Sequence, residues 1–344
     1  MSINAENKIC RIAVDAMVGD FAPLVVIQGA IDALKIDPNI EVLLVGRKSV
    51  ITELMRKEGL NFDESKIVNA EEVIEMKDNP TSAIKTKKDS SIVVGALLVK
   101  DKKADAFVSA GNTGAMMAAS TFLIGRIKGV GRPTMGATIP NQKGGITSVF
   151  DAGASVDSKP IHLVEQAILG NILAKEIYNL DEPTVGILSV GEEESKGNEL
   201  TFAASKMLKE LDLKFIGNVE GRDILKGTAD VVVCDGFVGN IILKFAESII
   251  PMLSYKLKSH AKKNLWNALK ILLFKSTLKG ALQDLDYQSH GGVPLLGIRG
   301  ISIIGHGSSS ALAIRNMILR AKEMYDKNLI QKFEDALKDY AEKK

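Results

Sequence analysis

The amino-acid sequence predicts an α/β fold with a largely parallel sheet, on three observations. A short β-branched run, a polar glycine-rich loop and a helical pattern follow one another repeatedly along the 344 residues. Between Val185 and Lys244 three such runs, VGILSV, FI and VVVC, empty into GEEESKGNEL, GNVEGRD and DGFVGNIILK. Small and charged residues are thereby gathered at strand ends, where open α/β sheets bind ligands. One segment, Ser248 to Gln283, breaks the alternation with seven lysines and no acidic residue.

Ile12 to Ala16 reads as the first strand, MVGDF as its loop, and Pro23 to Leu34 as a helix with proline in its first turn. Glu41 to Gly46 is a second strand, followed by a helix over Ser49 to Glu58. Asp89 is placed to cap a helix over Ser90 to Lys100. Ala106 to Ala110 forms a strand that ends in GNTG and leads into a helix through Thr121. Met135 to Ile139 and Thr147 to Ala152 read as strands, Pro160 to Tyr178 and Leu200 to Leu211 as helices. Near the end, the strand ISII precedes GHGSSS and a long helix. No fixed-period repeat or low-complexity linker divides the chain. Residues 9–325 are therefore expected to form one domain of two α/β lobes around a cleft, with a charged helical tail over 326–344.

Basic and acidic residues nearly balance, 44 to 42, so net charge gives no reason to expect nucleic acid. Cys10 and Cys234 form no CxxC pair, which argues against a disulfide framework or a cysteine zinc site and fits a reducing cytoplasm. The N-terminal MSINAENKICR lacks the basic and apolar regions of a signal peptide. Uninterrupted apolar stretches such as Ile271 to Phe274 fall far short of the roughly 18 to 20 residues that cross a bilayer. The expectation is a soluble protein, or one that lies on a membrane. Leu257, Ala261, Leu265, Leu269 and Leu272 recur at helical spacing, with Trp266 and Phe274 beside them and Lys256, Lys258, Lys262, Lys263 and Lys270 between. A basic amphipathic arm over 251–283 suits an anionic membrane surface, or packs on its own subunit or a dimer partner.

Four loops offer chemistry. In SAGNTGA, Gly111 and Gly114 allow close backbone approach, while Asn112 and Thr113 add polar side chains beside the free N–H groups of a first helical turn. That is a cradle for phosphate or an ordinary capped turn. In GHGSSS, His306 stands between two glycines and next to Ser308, which fits an anion or oxyanion contact as well as a capping turn. Glu192, Glu193 and Glu194 read as a solvated acidic surface, but Lys196, Gly197 and Asn198 turn the loop into a mixed-charge site, in which the carboxylates orient Lys196 or hold a cation. Asn218, Glu220, Arg222, Asp235 and Asn240 lie at or just beyond strand ends. Cys234 closes an apolar run and reads as a buried side chain rather than a nucleophile. GxGxxG, Walker, GxSxG, HExxH and EF-hand signatures are missing, which leaves an enzyme that handles an anion without a covalent triad.

At these residues the chain resembles the bacterial phosphate acyltransferases, the PlsX family. The matching stretches are DAMVGDF from Asp15, KKDSSI from Lys87, SAGNTGA, DAGASVDSKP from Asp151, GEEESKGNEL, GNVEGRDILKGTADVVVCDGFVGN, GGVPLLGIRG from Gly291, and GHGSSSALAI. They run in order from about Ile9 to about Arg320. The chain departs from the family pattern at Val18, at Lys85 and Thr86, and at Ser155, Ser158 and Ile161. The resemblance implies a three-layer α/β/α fold with a mixed sheet, similar to the isocitrate and isopropylmalate dehydrogenases and the phosphotransacetylases but without the nicotinamide cofactor, and a homodimer; no cofactor or metal is assigned. It implies transfer of a long-chain acyl group from acyl carrier protein to inorganic phosphate. The acyl phosphate would feed a membrane-bound glycerol-3-phosphate acyltransferase in phospholipid synthesis, at the cytoplasmic face of the cell membrane.

That chemistry asks little acid–base help. A phosphate monoester has its second pKa near 6, inorganic phosphate is likewise in substantial part doubly ionised at neutral pH, and the leaving thiol has a pKa of about 8.5. What remains is to hold two reactants together and to stabilise an oxyanion. On this reading Gly111, Asn112, Thr113, Gly114, Gly307 and Ser308 bind phosphate, and Lys196 balances its charge. Asn198, Asn218 and Asn240 address the thioester carbonyl or the pantetheine arm, and His306 donates to the oxyanion or the leaving sulfur. Asp15, Asp20, Lys159, Glu193, Glu220 and Asp235 are further cleft candidates. Lys256, Lys258, Lys262, Lys263, Trp266 and Lys270 are expected to meet the membrane or an acidic carrier protein. Two other readings are a short-chain phosphotransacetylase using acyl-coenzyme A and a non-catalytic lipid-binding scaffold, the latter leaving the strand-end loops unexplained.

Overall fold

The computed structural model describes residues 8–281 and 291–342. The first half of the chain forms β1 (Cys10–Asp15), α1 (Leu24–Ile36), β2 (Ile40–Gly46), α2 (Lys48–Glu58), β3 (Ile67–Asn69), α3 (Pro80–Thr86), α4 (Ser91–Lys100), β4 (Ala106–Ser109) and α5 (Thr113–Ala119). Then follow β5 (Thr134–Pro140), β6 (Ile146–Phe150), α6 (Pro160–Ile177), β7 (Thr184–Leu188), α7 (Glu199–Leu208), β8 (Lys214–Val219), α8 (Gly221–Lys226) and β9 (Val231–Val233). The chain ends with α9 (Gly236–Ala261), α10 (Leu265–Ala281), β10 (Val293–Leu296), β11 (Ile301–Ile304), α11 (Ala311–Asp326) and α12 (Leu329–Glu342).

All described strands join one sheet in the order β3-β2-β1-β4-β11-β10-β5-β6-β9-β7-β8. Neighbours are parallel from β3 to β11 and from β6 to β8, and antiparallel across β10 and β5 in the middle. The two parallel sets consequently run in opposite directions. The loops after β1, β4 and β11 leave one edge of the ladder, and those after β6, β7 and β9 leave the other.

Helices cover both faces, giving the expected three layers. On one face a continuous core runs across both halves, from Ile12, Ile27 and Leu44 through Phe150 and Leu163 to Val185, Ile318 and Phe333. The other face divides into a cluster around Phe107, Ile92 and Met116, and a smaller one around Val149, Val219, Ile224 and Cys234. Fully buried phenylalanines such as Phe107 and Phe150 each contribute roughly 1.5–3 kcal/mol by leaving water.

Several expectations change. Ser90, not Asp89, caps α4, accepting the Val93 N–H at 3.4 Å, while the Asp89 carboxylate accepts the Glu71 N–H. Strand β3 and helix α3 were not anticipated; Asn79 caps α3 ahead of Pro80. Gly217 and Asn218 continue β8 as an edge strand rather than opening a loop, with a register shift opposite Val185 and Gly186. The presumed tail is part of the core layer, because Leu329, Phe333 and Leu337 of α12 are buried.

The basic arm begins earlier than position 251. It is a hairpin of α9 and α10, and only Gly236 and Gly239 of α9 are buried. At 26 residues α9 is about 39 Å long. Among the described residues it is the one helix long and apolar enough to cross a membrane, which short uninterrupted runs did not reveal. Phe245, Trp266 and Phe274 stand exposed on the hairpin. The last two positions of the expected arm, 282–283, lie outside the described residues.

Candidate active site

Strands β1, β4 and β11 are adjacent and parallel, so their loops emerge side by side. Gly305 N–H donates to Ser109 O at 2.8 Å, and Asp20 N–H donates to Gly307 O at 2.7 Å. Beneath them, Ser109 Oγ donates to Asp15 Oδ2 at 2.9 Å and accepts the Gly111 N–H at 3.1 Å. Met17 N–H closes on Asp15 Oδ1 at 3.1 Å. Asp15 is buried, and loss of water pushes its carboxyl up to about 6. Val18 has no left-handed backbone; that conformation falls on Gly19, with φ 114°. The valine packs against Gly111, where a Cβ would sit 2.6 Å from Val18 Cγ2.

Asn112 is buried and its side chain is used for structure. Its Oδ1 caps α5 by accepting the Ala115 N–H at 3.0 Å. Its Nδ2 lies 3.2 Å from the carbonyls of Glu75, Met76 and Asp78, which fastens a fourth loop beside the other three. Thr113 and Gly114 open a helical stretch that runs on to Ile124, so their N–H groups belong to a first turn without intrahelical acceptors. His306 Nδ1 lies 2.8 Å from Ser308 Oγ and 3.2 Å from Ser308 N. Gly307 stands near Asp20, whose Oδ1 is 3.6 Å from the place a Cβ would take. Glycine amides, a serine and an imidazole thus meet in one cradle that suits an anion, with Asp20 on its rim.

A second group forms at the opposite edge, beyond β7 and β8. Asn218 Nδ2 donates to Glu193 O at 2.8 Å and Lys196 O at 2.9 Å. Asn198 caps α7, its Oδ1 accepting the Thr201 N–H at 2.9 Å. Both asparagines therefore shape the loop that carries Lys196. The lysine stem covers Gly191, with a Glu193 carboxylate oxygen over the same glycine, and its ammonium has no ion pair among the described residues. The glutamate run acquires partners: Glu192 pairs with Arg222 at 3.3 Å, Arg222 with Glu220 at 2.6 Å, and Glu194 with Lys209 at 2.7 Å. Glu192, Glu220 and Asp223 are close enough to share a cation, but Arg222 and Lys226 already supply positive charge there.

Next to this group lies the root of α9. Asp151 closes β6, and its Oδ1 accepts the N–H of Gly153 at 3.1 Å and of Ala154 at 2.8 Å, while Oδ2 is buried without a hydrogen-bond partner. Burial pushes this carboxyl up to about 6 as well. Asp235 caps α9 by accepting the Val238 N–H at 3.0 Å, and Gly236 N–H donates to Ser155 O. Asn240 packs on Gly153. Lys159 precedes α6 and is exposed; its N–H donates to His162 Nδ1 at 3.1 Å. Cys234 is buried with its thiol against Asp151 O and its pKa raised by burial, and Cys10 is pushed up to about 12 for the same reason. Neither thiol is set up as a nucleophile.

The structure thus assembles Asp15, Asp20, Gly111, Asn112, Thr113, Gly114, His306, Gly307 and Ser308 at one edge, and Lys159, Glu193, Lys196, Asn198, Asn218, Glu220, Asp235 and Asn240 at the other. No hydrogen bond or ion pair between described residues joins the two sets. Sequence reasoning did not single out Ser109 or assign a role to Asp151. In both cases the signal was a polar residue closing an apolar strand.

A mixed sheet with glycine-rich loops at two strand edges defines a three-layer α/β enzyme of the phosphotransacetylase fold. A phosphotransacetylase from Streptococcus pyogenes superposes with a TM-score of 0.62 at 18% identity, covering 96% of this chain and 100% of that one. A branched-chain phosphotransacylase from Enterococcus faecalis V583 gives 0.55 at 13% identity, covering 91% and 98%. These likenesses concern the fold alone. Residues 10–332 match the family described as fatty acid synthesis protein. The phosphate acyltransferase of Halothermothrix orenii is 46% identical over 93% of this chain and 96% of its own length. That of Clostridium botulinum (strain Kyoto / Type A2) is 44% identical, covering 95% and 97%. The chain belongs to this family, the phosphate acyltransferases of the PlsX type.

Proposed function

We propose that this protein transfers a long-chain fatty acyl group from the thioester of acyl carrier protein to inorganic phosphate. The observation that carries the reading is the 46% identity to a phosphate acyltransferase across 93% of the chain, with a family match over residues 10–332 that includes both strand-end groups. A phosphate oxygen adds to the thioester carbonyl carbon. Collapse of the adduct breaks the C–S bond, completes the new C–O bond of the acyl phosphate and releases a thiolate that takes a proton from water. Two buried cysteines with raised pKa support direct attack by phosphate rather than an acyl-cysteine.

In this reading Gly111, Thr113, Gly114, Gly307 and Ser308 bind phosphate, with Asn112 shaping the loop around it. His306, beside that cradle, donates to the oxyanion, while Asn240, at the opposite edge, holds the pantetheine arm. Lys196 stands at that opposite edge too, and whether it balances phosphate charge is read from its alanine variant. Asn198 and Asn218 act by holding the Lys196 loop. The protein works as a homodimer in the cytoplasm, with the α9–α10 hairpin on the inner face of the membrane. Lys256, Lys258, Lys262, Lys263, Lys270 and Trp266 make the contact, and a membrane-bound glycerol-3-phosphate acyltransferase consumes the product. The exposed apolar and lysine side chains of the hairpin support this placement.

The test mixes the protein, a long-chain acyl carrier protein and phosphate, and traps acyl phosphate with hydroxylamine. Phosphate-dependent hydroxamate is expected; none would reject the reading. Faster turnover of a short acyl-coenzyme A than of the carrier-borne chain would instead assign a phosphotransacetylase.

A further inference from the structure

Three turns from distant parts of the chain meet at one corner of the molecule. They are the turn after α4, the segment leading into β5, and the turn between β10 and β11. Arg299 N–H donates to Gly125 O at 2.8 Å, and Arg126 bridges to Ile298. A Cβ on Gly300 would sit 2.7 Å from Val99 and 3.0 Å from Ile124, so the α4 turn lies against the other two. The corner exposes Lys100, Lys102, Lys103, Arg126, Lys128 and Arg299, with Asp101 as the carboxylate among them.

None of these six cations has an ion-pair partner among the described residues, and Asp101 is the carboxylate they share the corner with. In a chain of net charge +2 this is a strong local excess. It ends toward β1, where Arg11 pairs with Asp105 at 3.2 Å and Lys322 with Asp326. A lysine after a helix is ordinarily explained by the helix dipole, and Lys100 alone would be. That account does not reach Arg299, which follows strand β10 rather than a helix.

We infer that this corner is the docking surface for an acidic protein, the carrier that delivers the thioester, so the inference rests on the functional reading above. Two features favour a protein over a lipid surface. Lipid binding draws on apolar side chains as well as charge, and the α9–α10 hairpin supplies both. The corner offers one large exposed apolar side chain, Phe122, among six cations, which suits a polar, salt-sensitive contact made and broken in each turnover. It also sits at the ladder edge shared with the ends of β6, β7 and β9. A path of hydrogen bonds along one stretch of chain leads there: Arg126 reaches Val130 O and Gly131 O, Arg132 holds Ser155 Oγ and Asp157 O, and Ser155 O receives the Gly236 N–H.

The experiment compares the charge-reversal variant K102E/K103E/R299E with an arm variant, K258E/K262E/K263E, at saturating phosphate. Each is assayed with acyl carrier protein and with uncharged acyl-pantetheine. The corner variant is expected to raise KM for the carrier on the order of tenfold, to flatten its salt dependence, and to leave acyl-pantetheine turnover unchanged. An unchanged carrier KM, or a rise caused only by the arm variant, overturns the inference. So does an unchanged carrier KM with lost binding to anionic phosphatidylglycerol vesicles, which would assign the corner to lipid. Should the triple variant also lose acyl-pantetheine turnover, the milder K102Q/K103Q pair decides by the same comparison. Failure of the wild type to use the carrier at all would instead remove the functional reading.

Discussion

Ser109 Oγ donates to Asp15 Oδ2 at 2.9 Å and accepts the N–H of Gly111 at 3.1 Å, so one hydroxyl joins the loop after β1 to the loop after β4. Ser109→Ala removes a donor from a buried carboxylate and leaves a buried N–H unpaired. The cost should be about 1–3 kcal/mol, read by urea denaturation. If the GNTG cradle holds phosphate, KM for phosphate rises while that for the acyl donor stays; equal effects on both would place the phosphate elsewhere.

The two buried aspartates predict a pH dependence of stability. Asp15 and Asp151 each rise from 3.8 to about 6, desolvation being the largest cause. The folded state therefore binds these protons more tightly than the unfolded chain does. At neutral pH each ionised carboxylate costs about 3 kcal/mol, and that cost is relieved as pH falls through 6 toward 3.8. Stability from these groups should grow between about pH 7.5 and about pH 5, and Asp151→Asn should remove roughly half of the growth. Denaturation curves across that range that are as steep in the variant as in the wild type would count against Asp151.

Gly239 gives a sharper steric prediction. A Cβ there would sit 1.9 Å from the backbone oxygen of Asp151, which no rotamer change relieves. Gly239→Ala should destabilise by about 3 kcal/mol or more and tilt the root of α9, lowering activity through Asn240. Gly280→Ala is the matched control, with nothing within 4 Å of the new methyl in α10. Alanine in a helix should there gain up to about 1 kcal/mol.

The alternation of apolar runs and polar loops was enough to read the parallel halves, because each strand buries a contiguous β-branched run. It could not reveal that β10 and β5 reverse direction between them, since strand polarity depends on pairing far along the chain. That reversal is why one expected site became two groups at opposite edges. Asn198 and Asn218 looked like ligands for the same reason that they make good loop braces: an amide serves a backbone carbonyl as readily as a substrate. The glutamate run was opaque because Arg222 and Lys209, its partners, come from other elements. In α12 the high charge hid a stripe of Leu329, Phe333 and Leu337 at helical spacing.

Lys196 separates the two edges functionally. Its ammonium has no ion-pair partner among the described residues, and it stands on a loop braced by Asn218 and Ser189. Lys196→Ala should leave stability within about 0.5 kcal/mol, as for an exposed side chain. If the lysine balances phosphate charge, KM for phosphate rises well above that for the acyl carrier. An unchanged phosphate constant would remove Lys196 from the phosphate site and leave that task to the β1, β4 and β11 loops.

Trp266 is the sole tryptophan of the chain and is 73% exposed near the start of α10, among the lysines of the hairpin. Its fluorescence therefore reports the surroundings of the arm without a label. An indole moving from water into the headgroup region should shift its emission to shorter wavelength, because its apolar body and N–H suit that boundary. Anionic vesicles should produce the shift and zwitterionic vesicles little, with added salt reversing it as the lysine attraction is screened. Lys262→Glu with Lys263→Glu should weaken vesicle binding on the order of tenfold or more, each lysine near the surface contributing about 1 kcal/mol. A shift equally strong with zwitterionic vesicles would mean that Trp266 and its apolar neighbours act alone. No shift with vesicles, but one with acyl carrier protein, would move carrier docking to the arm and away from the Lys102–Arg299 corner.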